Sequence, residues 1–348
     1  MILLEALNIN TGGGVVLLEY LIKQFEINNI KYHVLLDDRY KKVPFFIDNC
    51  TLYRSSIFSR ANIIKHGISQ FKPHTLLCFG NFPPSQRYSS VRVITYFQNA
   101  HLIPNLNIYK TKLKERLVFF LKQVYLKFNL KNTNLIVFQS DFIRHEFLKD
   151  YNIEISKTRV LPFFDETRLN EISQKVDYAQ EKEKAFIYTS SSSPNKNHYL
   201  LFNAWDQLIA SGSFPRLYVT IEKNDVLIDR INNLNSKGAD IVNLGELEHD
   251  ALFEIVSKCQ FTIFPTFLET IGLGLVEGAA LGNKILCSDL PFIKEIVSPS
   301  LLFDPFDSKS IADSVLFAIE HNHLLPPSSI VLKNNINIFL QLLVNNEQ

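Results

Sequence analysis

Two carboxylates, Glu269 and Glu277, stand eight positions apart in FPTFLETIGLGLVEGAALG (264–282), where nearly every other residue is apolar or glycine. A lone carboxylate in such surroundings is costly unless a partner meets it. These two therefore either reach an open edge or face a polar ligand. FTIFPT reads as a strand, FLETIG as the turn after it and LGLVEGAALG as a helix. Glu269 then lies beyond the carboxyl end of a strand, where open α/β sheets bind ligands. The backbone N–H groups of Thr270, Ile271, Gly272 and Leu273 are expected at the helix start, where donors and dipole together attract phosphate. Gly272 and Gly274 leave room for a diphosphate to approach the backbone. Glu277, two turns on, can reach hydroxyls alongside the helix. A sugar and a ribose joined by a diphosphate would fit this pattern. The plain alternative is a strand–helix unit whose acids favour the helix dipole.

Four further stretches carry candidate chemistry. In YTSSSSPNKNHYLL (188–201), Lys196 can place a cation on a diphosphate, and the hydroxyls of Ser190–Ser192 are weaker donors. In NTGGGVVLL (10–18), Gly12, Gly13 and Gly14 join a strand to a helix, either as a tight turn or as a ligand loop. A dinucleotide fingerprint would need a third glycine where Leu17 stands, although Asp37 and Asp38 end the next strand about where a ribose-binding acid belongs. In YFQNAHLI (96–103), Gln98, Asn99 and His101 follow a strand end, and His101 is either structural or catalytic. His33, His66 and His145 have no spacing that suggests a metal site. The segment from Tyr109 to Lys131 sets Lys110, Lys112, Lys114, Arg116, Lys122, Lys127 and Lys131 among Leu, Val, Phe and Tyr. It reads either as a basic amphipathic helix on an anionic membrane or as a solvated face over a core stripe.

The elements that hold these residues alternate. Continuous apolar strands separated by helices imply parallel sheets covered on both faces. The pattern runs through residues 1–170, is broken by the polar stretch 171–184, restarts over 185–325, and ends in an amphipathic helix within 326–348. A chain of 348 residues with 46% hydrophobic and 20% charged residues can build two cores. A net charge of +1 removes bulk attraction as an argument for nucleic acid. The four cysteines, Cys50, Cys78, Cys259 and Cys287, show no pairing rhythm and suit a cytoplasmic protein. The first ten residues lack a signal peptide's basic lead and cleavage site and read as a buried strand. No apolar run approaches the roughly 18–20 residues of a spanning helix. Two α/β halves make a cleft between them the expected binding site.

The stretch FPTFLETIGLGLVEGAALGNKILCSDLPFIKEIV, with VNLGELEHDALFEIVSKCQ before it, resembles family 4 of the GT-B glycosyltransferases, whose E-x7-E motif falls on Glu269 and Glu277. The resemblance is strong over roughly 185–300 and weaker over 1–165. It implies an α/β chain of two Rossmann-like, doubly wound parallel-sheet domains facing a cleft, with the C-terminal helix returning to the first domain. The first domain would bind the acceptor and the second the donor. It further implies a nucleotide-sugar donor, retention at the anomeric carbon, and neither metal nor other cofactor. Glu269 would contact the donor sugar, Glu277 the ribose, and the backbone of Gly272 and Leu273 the phosphates. Gly13 and Gly14 would pass close to the donor, and Gln98, Asn99 and His101 would meet the acceptor. Lys196 fits the family's lysine, but the family's arginine falls near Ser190, so the cationic pair is incomplete. Surface-polysaccharide assembly is the implied setting: an O-antigen or capsule glycan or an undecaprenyl-linked saccharide as acceptor, with peripheral contact at the cytoplasmic face of the inner membrane. The alternatives are a non-catalytic nucleotide-sugar-binding partner of a glycosyltransferase complex, or a nucleotide-sugar epimerase or nicotinamide oxidoreductase on a similar fold.

Overall fold

A computed structural model describes the chain except residues 42, 55, 107–112, 176–180, 224 and 346–348. It divides into two compact units. Among the described residues, unit 1 holds Met1–Asp165 and the tail from Lys333, and unit 2 holds Glu166–Leu332.

Unit 1 is built on seven strands: β1 (Ile2–Ala6), β2 (Tyr32–Asp37), β3 (Cys50–Tyr53), β4 (Thr75–Cys78), β5 (Arg92–Phe97), β6 (Leu135–Phe138) and β7 (Thr158–Val160). They pair in parallel in the order β3-β2-β1-β4-β5-β6-β7. Helices α1 (Gly13–Ile27), α2 (Ile57–Phe71), α3 (Leu113–Asn129) and α4 (Asp141–Asp150) connect them. The mostly apolar strands β1, β4 and β6 are buried along their whole length, as a sheet covered on both faces requires. One charge breaks the run in β1. Glu5 is wholly buried and meets Arg60 of α2 through Nε (3.2 Å) and NH2 (2.7 Å). The rest of the guanidinium donates to the carbonyls of Phe82 and Pro83 and to the Tyr125 hydroxyl, so the buried charge is fully partnered.

Unit 2 opens with α5 (Glu166–Lys175), which spans the end of the predicted first domain (1–170) and the start of the predicted linker (171–184). Leu169 is buried, while Arg168 reaches Asp250 at 2.6 Å and lies over the Phe253 ring. Residues 176–180 of that predicted linker lie outside the described residues. Then follow β8 (Glu183–Tyr188), α6 (His198–Ala210), β9 (Arg216–Val219), α7 (Leu227–Ser236), β10 (Asp240–Asn243), α8 (His249–Lys258) and β11 (Cys259–Phe264). After these come α9 (Leu273–Ala280), β12 (Lys284–Ser288), the one-turn α10 (Ile293–Ile296), β13 (Val297–Ser298), β14 (Leu301–Phe303), α11 (Ser308–Glu320) and β15 (Ser329–Ile330). The main sheet is parallel in the order β10-β9-β8-β11-β12-β14, and β13 and β15 form a separate antiparallel ribbon.

The last helix, α12 (Ile336–Val344), belongs to unit 1. Its end carbonyls are taken by Thr75 (to Leu343) and Arg92 (to Leu342). Phe339 is fully buried, with its ring centroid 5.3 Å from Phe163 and 5.4 Å from Tyr96. Aromatic clusters of this kind bury large area in specific ring geometry. Phe339→Ala should cost about 3–5 kcal/mol. The measurement is urea unfolding with hydrogen-exchange protection, which should be lost first in β4 and β5. An unchanged midpoint would show that α12 is a loosely held tail.

Candidate active site

In a doubly wound sheet the loops at the carboxyl ends of the strands diverge where the strand order reverses, and ligands bind there. In unit 2 that point lies between β8 and β11. Lys196 comes from the loop after β8 and Glu269 from the loop after β11. Their side chains meet, Nζ to Oε1, at 2.5 Å. Thr266 Oγ1 lies 3.1 Å from the same carboxylate oxygen, and the Lys196 ammonium is 6.0 Å from the Phe264 ring centroid. Both partners keep a small solvent-exposed fraction, 20% for Lys196 and 11% for Glu269. The pair is therefore neither sealed in the core nor free in water.

Two asparagines hold the loops in this position, and sequence reasoning passed over both. Asn195 donates to the Leu268 carbonyl at 3.0 Å and its own carbonyl accepts from the Phe267 N–H at 2.8 Å. Asn197 sits in the left-handed region (φ 58°), which asparagine tolerates, and donates to the carbonyls of Pro265 and Pro305. The buried Tyr188 hydroxyl donates to the Lys196 carbonyl at 2.8 Å. Its pKa is driven well up, first by burial and then by the Glu269 carboxylate. The SPNKNH stretch (193–198) is readable from sequence only as a turn.

Helix α9 begins at Leu273, the first residue of the predicted LGLVEGAALG helix, but Thr270 and Ile271, expected at the helix start, precede it. Gly272 precedes it at φ 59° and its carbonyl accepts from Leu275 (2.9 Å) and Val276 (3.4 Å). The leading amides of the helix are thus those of Leu273 and Gly274, while Thr270 and Ile271 belong to the approaching loop. Glu277 lies one turn beyond Leu273 and is 8% exposed. The helix is pressed against the strands. A Cβ at Gly274 would lie 2.6 Å from Thr189 Oγ1, and one at Gly278 would lie 2.6 Å from Thr262 Oγ1.

Ser190 is nearly buried. Its N–H goes to Thr220 Oγ1 at 2.9 Å and its hydroxyl to the Ser191 carbonyl at 3.0 Å. The loop end is braced against β9, and no cation stands at that position itself.

The unit 1 candidates gather at the corresponding edge of their own sheet. Helix α1 opens at Gly13, and the positive φ of the turn falls on Gly12. A Cβ at Gly14 would be 3.7 Å from Gln98 Oε1, so the glycine loop and Gln98 are neighbours. Gln98 is fixed by bonds from its Nε2 to the Phe79 carbonyl (2.7 Å) and from its N–H to Asn81 Oδ1 (2.6 Å). Asn99 caps the next turn by accepting from the His101 N–H. The His101 ring stacks on Phe119 of α3 at 5.1 Å, and its carbonyl accepts from Gln123. Asp37 is taken by Arg39, which donates from its N–H, Nε and NH2. Burial alone would raise this carboxyl, but the Arg39 bonds outweigh it and hold the pKa below the usual range. Both oxygens of the acid that a nicotinamide reading needs for ribose are thus engaged within their own loop. Among the described residues, no three His, Cys, Asp or Glu side chains group as a metal site would require.

The architecture is GT-B: two units, each a parallel sheet with helices, and a terminal helix that returns to the first. Residues 170–329 match the family model for glycosyl transferases group 1. Over 200 residues the chain is 25% identical to the O-antigen chain mannosyltransferase RfbU of Salmonella typhimurium, covering 55% of this chain and 54% of the relative. Over 204 residues it is 23% identical to O-antigen chain mannosyltransferase B of Escherichia coli, covering 55% and 53%. The chain thus spans about half the length of the curated relatives it matches. Among solved structures it resembles sucrose-phosphate synthase from Thermosynechococcus elongatus, with a TM-score of 0.70 at 14% identity over 99% of this chain and 94% of the other. HepE of Anabaena, solved with UDP and glucose, gives a TM-score of 0.66 at 14% identity over 98% and 94%.

Two outcomes test this geometry. Gly278→Ala should destabilise the protein by about 1–3 kcal/mol through overpacking, although alanine gains about 1 kcal/mol in helix propensity. Equilibrium unfolding measures it, and a net gain would show that α9 is free to lift. The second outcome concerns His198, which is 3% exposed, with neither ring nitrogen partnered. Its pKa is lowered to about 3, first by burial and then by the Lys196 ammonium. The unfolded chain protonates this histidine near 6.5 and the folded one does not. Its contribution is therefore fully present above 6.5 and lost as pH falls towards 3. The stability difference between wild type and His198→Phe should change by up to about 1.4 kcal/mol per pH unit below 6.5 and be flat above it. A pH-independent difference would contradict the neutral, buried assignment.

Proposed function

We propose that this protein is a glycosyltransferase that moves a sugar from a nucleoside-diphosphate sugar to a glycan or lipid-linked acceptor in O-antigen assembly, with retention at the anomeric carbon and without a metal. The Lys196–Glu269 pair at the switch point of unit 2 carries the reading, because it lies inside the segment that matches group 1 glycosyl transferases. The similarity to two O-antigen chain mannosyltransferases supports mannose as the transferred sugar.

In this mechanism the donor diphosphate rests on the Leu273 and Gly274 amides, with Gly272 allowing close approach. Glu277 binds the ribose. Lys196 exchanges its carboxylate partner for the diphosphate, and Glu269 turns to the donor sugar hydroxyls. The bond from the anomeric carbon to phosphate oxygen breaks and the acceptor oxygen bonds to that carbon from the same face. The acceptor proton passes to the departing diphosphate. The protein contributes positioning and charge stabilisation rather than a covalent step. Thr270, Ile271 and Ser190 line the donor side within unit 2; of the unit 1 residues, Gly13 and Gly14 are assigned to the donor and Gln98, Asn99 and His101 to the acceptor.

The test is thermal shift with UDP, GDP, dTDP and CMP forms in EDTA, followed by turnover with GDP-mannose and a matched acceptor. One nucleotide family should stabilise the protein, and Glu277→Ala should abolish the response. Glu269→Ala should lower kcat by about a hundredfold or more. The anomeric configuration of the product, read by NMR, decides retention. Ser190 in the place of the family's arginine favours one second reading, a non-catalytic nucleotide-sugar-binding partner. Nucleotide stabilisation without turnover of any matched acceptor would establish that reading instead.

A further inference from the structure

Helix α3 carries its aliphatic face outward. At 3.6 residues per turn, Leu113, Leu117, Phe120, Leu121, Val124 and Phe128 fall on one side of the helix. Leu113 and Phe128 are 81% and 71% exposed, and Leu117, Phe120 and Leu121 are each more than half exposed. The other side is the one that packs. Phe119 stacks on His101, Gln123 donates to the His101 carbonyl, Tyr125 meets Arg60, and Leu126 and Asn129 are buried. Soluble proteins seldom leave a large hydrophobic stripe of this kind uncovered without a use for it.

We infer that the outward face of α3 docks unit 1 on an anionic lipid bilayer. Charge selects this occupant. Residues 113–132 carry five cations, Lys114, Arg116, Lys122, Lys127 and Lys131, against the single acid Glu115, and all five cationic residues are exposed. Arg116 and Lys127 border one edge of the stripe and Lys114 the other, which is the arrangement of a helix lying in a headgroup plane. A second copy of the chain would set five cations against five across a two-fold interface, where like charges oppose association. The further cations Lys110 and Lys112 lie outside the described residues. The inference rests on the glycosyl-transfer reading only for its purpose, because the helix that would meet the bilayer also holds the His101 turn.

Vesicle sedimentation with the full chain tests it without reference to activity. Vesicles of equal parts phosphatidylglycerol and phosphatidylcholine should bind the protein at least about tenfold more strongly than pure phosphatidylcholine, and added salt should weaken the binding. The triple variant Leu117→Ser, Phe120→Ser, Phe128→Ser should lose about tenfold or more of that binding while keeping the wild-type melting temperature and nucleotide response. Failure of the wild type to bind anionic vesicles, or equal binding by the triple variant, would overturn the inference. So would a wild-type dimer that the triple variant dissociates in the absence of vesicle binding. The nucleotide response is read separately, so loss of the donor-site reading and loss of this one are distinguishable.

Discussion

The site depends on how closely one helix can lie against two strands. Gly274 and Gly278 are one turn apart and share a face of α9, and that face meets Thr189 beyond β8 and Thr262 in β11 with no space for a methyl group. Two glycines in an eight-residue helix cost about 1 kcal/mol each in propensity. The close approach offsets that cost by setting the helix start directly over the strand ends. Glu269, just before the helix, and Glu277, within it, then have their positions fixed by the same packing contact. A helix raised by one side-chain layer would carry both carboxylates away from Lys196.

Polar clamps complete what packing begins. The loops after β8 and β11 have little regular structure of their own, yet Asn195 and Asn197 tie one to the backbone of the other through three hydrogen bonds, and Asn197 adds a fourth to the Pro305 carbonyl beyond β14. Lys196 stands between these two asparagines, so its backbone is fixed where its side chain meets Glu269. The neutral, buried His198 next to it adds no competing charge, because burial and the lysine itself keep it deprotonated.

Much of this was legible in the sequence, for a definite reason. Strands buried on both faces must be continuous apolar runs, and glycines at the strand–helix turns mark where the chain passes close to its neighbours. Hence the two parallel sheets and the places of Glu269, Lys196 and the glycine loop could be read directly. The helix start at Leu273 could be read as well, but not which amides lead it, because nothing in TIGLG marks Thr270 and Ile271 as loop residues before a left-handed glycine. Helix α5 was hidden by its polarity, since only Leu169 among its described side chains is buried, while Arg168 pairs with Asp250 and lies over Phe253. The ribbon of β13 and β15 has two residues on each strand, too few for any period. Asn195 and Asn197 were invisible because their partners are backbone carbonyls 68–108 residues away.

Helix α3 shows the limit of periodicity most plainly. An amphipathic pattern identifies a helix with two faces, and the ordinary rule turns the apolar one inward. Here the inward side is chosen by groups that cannot go without partners. Arg60, buried to neutralise Glu5 in the central strand, requires further acceptors and finds one in the Tyr125 hydroxyl. The His101 turn places a ring against Phe119 and a carbonyl against Gln123. With Tyr125, Gln123 and Phe119 committed inward, the helix turns Leu113, Leu117, Phe120, Leu121 and Phe128 outward. A charge placed in β1 thus reaches through α2 to decide which face of α3 the protein offers to its surroundings.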